Sequence, residues 1–340
     1  MSTQHARQFS RRRFLGGLTL AGTAGLLGLS PRRVAAEPPP ETPTLRLTRN
    51  PGICRAPQYI TEELLHSEGF MDVQYPWLDS GPPIFQALAA GEVDIAMALV
   101  VPLIMQVDAG APVMLLAGGH VGCLALVGSD RVRAIRDLKG KTVVVSRLGT
   151  GHHAFLASMM AYVGMDPRKD VTWVEHPDAE WIQLLAEGKI DAFLAESPVW
   201  QEAQEKRIGR VLLDTALDGP WAQYFCCMVA GNRSFVQKHP VATKRALRAI
   251  LKAATICALE PERVAQALVE KGHTPRYDYA LEGLKGIPYA KWREYDAEDT
   301  VRFYALRLHE IAIIKSSPQK IIAQGTDWRF LNELKKELKE

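Results

Sequence analysis

One stretch of the chain occurs twice. Phe85-Gln86-Ala87-Leu88-Ala89-Ala90-Gly91-Glu92-Val93-Asp94 aligns with Ile182-Gln183-Leu184-Leu185-Ala186-Glu187-Gly188-Lys189-Ile190-Asp191, 97 positions later. Upstream, Leu45-Arg46-Leu47-Thr48 aligns with Thr142-Val143-Val144-Val145 at the same spacing. Between these anchors each copy places a loop, a helical segment, a glycine and a short strand, Gly69 then Val73 in the first and Gly164 then Val171 in the second. Register held over such a length marks a duplicated supersecondary unit. Each copy reads β-α-β-α-β, with Gly91 and Gly188 ending the second helix where a left-handed cap is needed. Strands alternating with helices predict an α/β fold, with mainly parallel sheets covered by helices on both faces. The expected architecture is therefore two similar lobes.

Composition matters chiefly for how charge is distributed. The 340 residues carry a formal net charge of +3. Residues 1–36 hold Arg7, Arg11, Arg12, Arg13, Arg32 and Arg33 and no acid, so the remaining 304 residues sum to −3. A nucleic-acid binder needs a basic stripe on its folded body, and none is expected here. The early arginines precede a modest apolar run, Phe14 to Leu29, and a small-residue site, Val34-Ala35-Ala36. That order reads as a secretory signal, and Arg11-Arg12-Arg13-Phe14-Leu15 resembles its twin-arginine form. Residues 37–44, rich in proline, read as a linker. No later apolar run reaches the ~20 residues of a membrane span. The expected product is a soluble periplasmic protein with no direct membrane insertion once the signal is removed.

Past the repeat the pattern is helical. Leu247, Ile250, Ala254 and Cys257 share one face of a helix opened by Pro240, and Val301, Tyr304, Leu308 and Ile311 repeat that spacing. Lys244, Arg248 and Lys252 line another face of the first helix, either solvated or docking a partner.

In open α/β sheets the ligand crevice lies at the carboxyl ends of the strands, where helix N-termini favour anions. Two segments occupy that position. Asn50 to Tyr59 includes Arg55 and Gln58; Ser146 to His152 includes Arg147, Thr150, Gly151 and His152. Each joins a glycine, a cation and a helix start.

Ala56-Pro57-Gln58-Tyr59, Gly91-Glu92-Val93-Asp94-Ile95-Ala96, Asp137-Leu138-Lys139-Gly140-Lys141-Thr142-Val143 and Gly188-Lys189-Ile190-Asp191-Ala192-Phe193 follow one another in a familiar order. In this the chain resembles the periplasmic substrate-binding proteins of the nitrate/sulfonate/taurine ABC-transporter group, whose domain is shared with thiamine-pyrimidine precursor synthases. The resemblance implies a type II periplasmic-binding fold: two lobes joined by a two-strand hinge, with a helical C-terminal region. On that fold residues 45–122 form the first part of lobe 1, 123–226 form lobe 2, and 227–340 return to lobe 1 and end in helices. It implies a monomeric receptor that captures a small anionic or zwitterionic solute and delivers it to an ABC permease, with no catalytic residues, metal or cofactor. An exported cofactor- or metal-dependent enzyme of the synthase type, and a receptor feeding a sensor kinase, are the alternatives. Placed on the fold, Ser80 and Gly81 precede a helix at the cleft, His120 lies on a hinge crossing, and Glu196 ends a strand of lobe 2. A carboxylate there hints at a ligand with an amine, amide or ring N–H.

Five cysteines in an exported chain invite disulfides, but the number is odd and the spacings match no zinc pattern. Cys257 belongs to the helical core. Cys123, Cys226 and Cys227 fall at the hinge crossings, as structural thiols, a disulfide or a soft-metal cluster. Cys54 is the fifth.

Overall fold

The first copy of the repeat folds as β1 (Thr44–Arg46), α1 (Ala56–Tyr59), α2 (Glu62–Ser67), β2 (Asp72–Gln74), α3 (Pro82–Ala90) and β3 (Ile95–Leu99). It continues into α4 (Val100–Asp108) and the long β4 (Val113–Val121). After β5 (Leu124–Gly128), the second copy runs β6 (Lys141–Val145), α5 (Gly151–Tyr162), β7 (Val171–Glu175), α6 (Trp181–Ala186) and β8 (Ala192–Glu196). Helix α7 (Val199–Glu205), β9 (Arg210–Asp214) and β10 (Phe225–Asn232) follow. This computed structural model describes residues 37–50, 52–78 and 82–338; the leader, Ser80 and Gly81 lie outside the described residues.

One contact, made twice, explains the repeated Gly-x-Val/Ile-Asp signature. Asp94 Oδ2 accepts the backbone N–H of Arg46 at 2.8 Å, and Asp191 Oδ2 accepts that of Thr142 at 2.9 Å. The aspartates' own N–H groups return bonds to the carbonyls of Arg46 and Thr142 at 2.9 and 2.8 Å. Each aspartate thus ties its copy's last strand to its first. The glycines three residues earlier, Gly91 and Gly188, sit at φ 74° and 68°, which lets the chain leave the helix and reach that strand. These ties also correct the strand alignment. Arg46 and Thr142 are counterparts, a spacing of 96 rather than 97, so Leu47 matches Val143. Leu47 pairs with Ile95 and Val143 with Ala192. In a strand one residue of slip exchanges the two faces, so the structural pairing is the physically meaningful one.

Pairing within the copies is parallel, as their helical crossovers require: β1 with β2, and β6 with β7 and β8. The strands that link the lobes run the other way. β10 lies antiparallel between β3 and β4, and β5 lies antiparallel between β8 and β9. Both lobes therefore hold mixed sheets. The chain crosses between them at Gly122–Cys123 and again between β9 and β10. Gly122 has φ 64°, and a Cβ there would lie 2.3 Å from that of Ala216 on the other crossing. Only glycine lets the two crossings run so close.

Residues after β10 form α8 (Arg233–Lys238), α9 (Pro240–Leu259), α10 (Pro261–Glu270), α11 (Tyr277–Gly286), α12 (Ala297–Glu310), α13 (Pro318–Gly325) and α14 (Arg329–Glu337). The basic face of α9 is neither free nor simply solvated. Arg248 pairs with Glu68, just past the end of α2, at 2.6 Å and with Glu337 of α14 at 3.1 Å, and Lys252 with Glu68 at 3.4 Å. Lys244 pairs with Glu333 at 2.8 Å and also with Glu337.

Strand alternation assigns the two faces of the second sheet. Leu126, Val143 and Leu194 join the main core with Phe155 and Met159 of α5, whereas Val127, Val144 and Phe193 meet Trp181 and Leu185 of α6 and Ala203 of α7. The main core is continuous from lobe 1 through α5, because Tyr304 of α12 packs on Phe155 with ring centroids 5.1 Å apart. Among the described residues no helix is long and apolar enough to cross a membrane.

Candidate functional site

The carboxyl ends of β3, β6 and β8 open on one cleft of about 660 Å³. This is the crevice position for open α/β sheets, and the volume suits a small organic ligand. Lobe 1 supplies a mostly apolar wall from Ile84, Phe85, Leu99 and Pro102. Lobe 2 supplies most of the polar groups, from Arg147, Thr150, His152, Asp178 and Glu196.

Arg55 is the cation that lobe 1 contributes. It ends a short helical turn, Ile53–Arg55, and is only 5% exposed. Its two terminal nitrogens each lie 3.4 Å from a different oxygen of Glu196, a two-pronged pair that joins the lobes across the cleft floor. Glu196 Oε1 is also 3.8 Å from His152 Nε2. Trp181 meets the His152 ring edge-on at 6.2 Å. Burial pushes the Asp178 carboxyl above its ordinary value, an effect that His152 opposes and Glu196 reinforces.

The loop bearing Arg147 is braced by its own groups. Thr150 Oγ1 donates to the Arg147 carbonyl at 2.7 Å, and Leu148 N–H donates to Glu175 Oε1 at 2.7 Å. Arg147 itself is exposed on the cleft wall. Helix α5 begins beside it, and Gly151 at its first position fits against Pro102 and Leu99 of the opposite lobe. A helix N-terminus at a cleft wall adds a partial positive charge.

Of the residues singled out from sequence, Arg55, Arg147, Thr150, Gly151, His152 and Glu196 line this cleft together. Gln58 does not. It is fully buried, donating to Thr48 O at 2.6 Å and Thr48 Oγ1 at 2.8 Å while accepting from Met97 N–H at 2.7 Å. His120 is buried as well, away from the lining and among the thiols. Phe85, Asp178 and Trp181 were missed. The repeat held a signal for one of them, since Asp178 lies 97 positions after Gly81, itself a sequence candidate.

All five cysteines are buried free thiols. Cys123 and Cys226 approach to 2.9 Å without a disulfide, so the hinge crossings do bring those two sulfurs side by side. Cys54 Sγ lies 3.7 Å from Glu196 Oε2, just under the cleft floor.

Two mixed α/β lobes, a double crossing and an interlobe cleft define the periplasmic-binding-protein class of fold. The chain belongs to the NMT1-like family, whose model matches residues 38–270. It is 30% identical over 174 residues to the taurine-binding periplasmic protein of Escherichia coli (strain K12). That match covers 51% of this chain and 53% of the relative, about half the length of each. The periplasmic nitrate-binding protein NrtA from Synechocystis PCC 6803 shares the fold with a TM-score of 0.72 at 17% identity, over 88% of this chain and 90% of that one. The periplasmic aliphatic sulphonate binding protein SsuA from Escherichia coli does so with a TM-score of 0.65 at 18% identity, over 85% and 94%. The resemblance read from the sequence and these comparisons agree on family and fold.

Proposed function

We propose that this protein is an exported, non-catalytic receptor that captures a small anionic or zwitterionic organic solute between its lobes and hands it to an ABC permease. The observation that carries this reading is the division of the cleft. Arg147 and the N-terminus of α5 offer positive potential at one part of the polar wall, while Asp178 and Glu196 offer carboxyl groups at another. A solute with an acidic head and an amine or N–H end satisfies both, and Phe85, Leu99 and Pro102 cover its apolar middle. The curated relative carries the name of such a zwitterion, taurine. The leader sequence supports export by the twin-arginine route, and nothing in the cleft chemistry requires a second copy of the chain, so the receptor works as a monomer.

The test is ligand binding to the exported protein. Thermal-shift screening against taurine, alkanesulfonates, nitrate and amino-acid-like zwitterions should find a solute that raises the melting temperature, with Trp181 fluorescence reporting occupancy of the cleft. Arg147→Ala should then weaken that solute at least about tenfold, the equivalent of losing one charge-assisted hydrogen bond of about 1.5–3 kcal/mol. A full panel without a stabilising solute, or unchanged affinity in the variant, overturns the reading or removes Arg147 from it.

A further inference from the structure

Four side chains that the cleft does not use converge beneath its floor. We propose that Cys54, His120, Cys123 and Cys227 form a closed site for one thiophilic divalent cation, zinc foremost, at the point where the chain crosses between the lobes. The four residues come from separate parts of the fold: the turn before α1, the end of β4, the crossing itself and the start of β10. Their ligating atoms all lie within 4.8 Å of one another and all four residues are buried. Three sulfurs and one imidazole nitrogen form a common tetrahedral zinc set, with bonds of about 2.3 Å to sulfur and about 2.0–2.1 Å to nitrogen. Such bonds place the donors roughly 3.5–3.8 Å apart, so small side-chain movements close the set.

The imidazole is prepared for this role. His120 Nδ1 lies 2.8 Å from the Gly122 carbonyl and 3.3 Å from that of Val121, so Nδ1 carries the proton and donates it. Nε2 is then a lone-pair donor. It is fully buried and faces the Cys227 thiol without a well-formed hydrogen bond. A buried imidazole nitrogen without a full hydrogen bond is costly, and a bound cation removes that cost. Metal-ligating histidines show the same outer arrangement, with the second ring nitrogen bonded to a backbone carbonyl. Tyr289 holds the ring edge-on at 5.3 Å, and its hydroxyl donates to the carbonyl of Ile53, the residue before Cys54.

Binding balances simply. Three thiol protons leave as three sulfur–metal bonds form, no electron is transferred, and a 2+ ion with three thiolates and a neutral imidazole carries a net charge of −1. The guanidinium of Arg55, adjacent in sequence to Cys54 and itself buried, lies beside that cluster together with Glu196, whose Oε2 is 3.7 Å from Cys54 Sγ, and it offsets one of the two negative charges gathered there. An occupied site therefore fixes the turn that carries Arg55, and so sets the position of the cleft's lobe 1 cation. Cys226 is the competitor. Its sulfur lies 2.9 Å from that of Cys123, and a thiol–disulfide oxidant that takes two electrons and two protons from this pair removes one ligand.

The experiment uses the full exported protein, purified under reducing conditions, stripped of metal and titrated with Co(II). The expected result is one equivalent bound, with the visible absorption of tetrahedral Co(II) and a thiolate-to-metal charge-transfer band, both abolished when Zn(II) displaces it. Cys227→Ser and His120→Gln should weaken Co(II) by more than the ~100-fold that an outer-sphere change brings. Cys257→Ala, in the core of α9, should leave the stoichiometry at one. The wild-type spectrum needs no variant to fold. Absence of the charge-transfer band overturns the site, as does a Cys257→Ala loss equal to that of Cys227→Ser. A Cys123–Cys226 disulfide in metal-free protein drawn from exporting cells would also overturn it.

Discussion

Gln58 lies within the family-like run Ala56-Pro57-Gln58-Tyr59, yet its side chain works as a peg between the segment after β1 and the middle of β3. Its amide satisfies Thr48 O, Thr48 Oγ1 and Met97 N–H at once, inside a fully buried pocket. Gln58→Ala strands a buried N–H and a buried carbonyl and should cost about 2–4 kcal/mol, read as a lower urea midpoint. Solute affinity of the folded variant should stay within a few-fold of wild type; a tenfold loss would return Gln58 to the binding set. His273, stacked on Tyr59 at 3.9 Å, gives a pH prediction. Burial, aided by Arg49 and Lys271, lowers its pKa from 6.5 to about 4. Between those values the unfolded chain binds more protons than the folded one, so this contribution is complete above pH 6.5 and is lost as pH falls toward 4. The ring is partly solvated, which limits the effect to roughly 1–2 kcal/mol. His273→Phe keeps the stack and removes the titration, so its melting temperature should fall less than that of wild type from pH 7 to 4.5. Parallel curves would rule this out.

At the scale of elements, ion pairs staple helices that the sequence pattern left apart. Lys244, Arg248 and Lys252 read first as a solvated face, with a docking surface as the sharper alternative, because spacing along a helix does not say what lies opposite. Glu68 and Glu337 do lie opposite, and they make α9 the strut that holds α2 and α14. Glu68 and Arg248 are largely shielded from water, with side-chain exposures of 11% and 13%. Glu68→Ala should therefore cost about 1–3 kcal/mol, between the values for exposed and fully buried pairs. Chemical denaturation measures it, and a double-mutant cycle with Arg248→Ala assigns it to the pair. Additive losses would show that the pair contributes nothing. The repeated aspartates at the strand ends were visible in the sequence as a motif, but not their purpose. Spacing alone marks a recurring Gly-x-Val/Ile-Asp; only the folded copies reveal a carboxylate capping the first strand of each copy.

Across the whole molecule, the lobes share one apolar interior. Helix α12 sits against α5, with Tyr304 and Phe155 both fully buried where they meet. Two lobes coupled this way should unfold together, giving one calorimetric transition with equal calorimetric and van't Hoff enthalpies. Two resolved transitions would mean that the shared interior does not couple them. Tyr304→Ala, at a cost of about 3–5 kcal/mol, should lower that single transition before it splits it. The sequence by itself determined the lobes, their strand-helix order and most of the lobe 2 cleft wall. Those depend on local periodicity, on glycine at a helix end and on a loop at a strand end, all carried by neighbouring residues and doubled by the repeat. Tertiary structure alone decided that Arg55 meets Glu196, that Gln58 and His120 turn away from the cleft, and that Cys54, His120, Cys123 and Cys227 come together. Arg55 and Glu196 are 141 positions apart, Cys54 and Cys227 are separated along the chain by both crossings, and Gln58 is held by Met97 39 positions on; no short-range pattern encodes pairings of that kind.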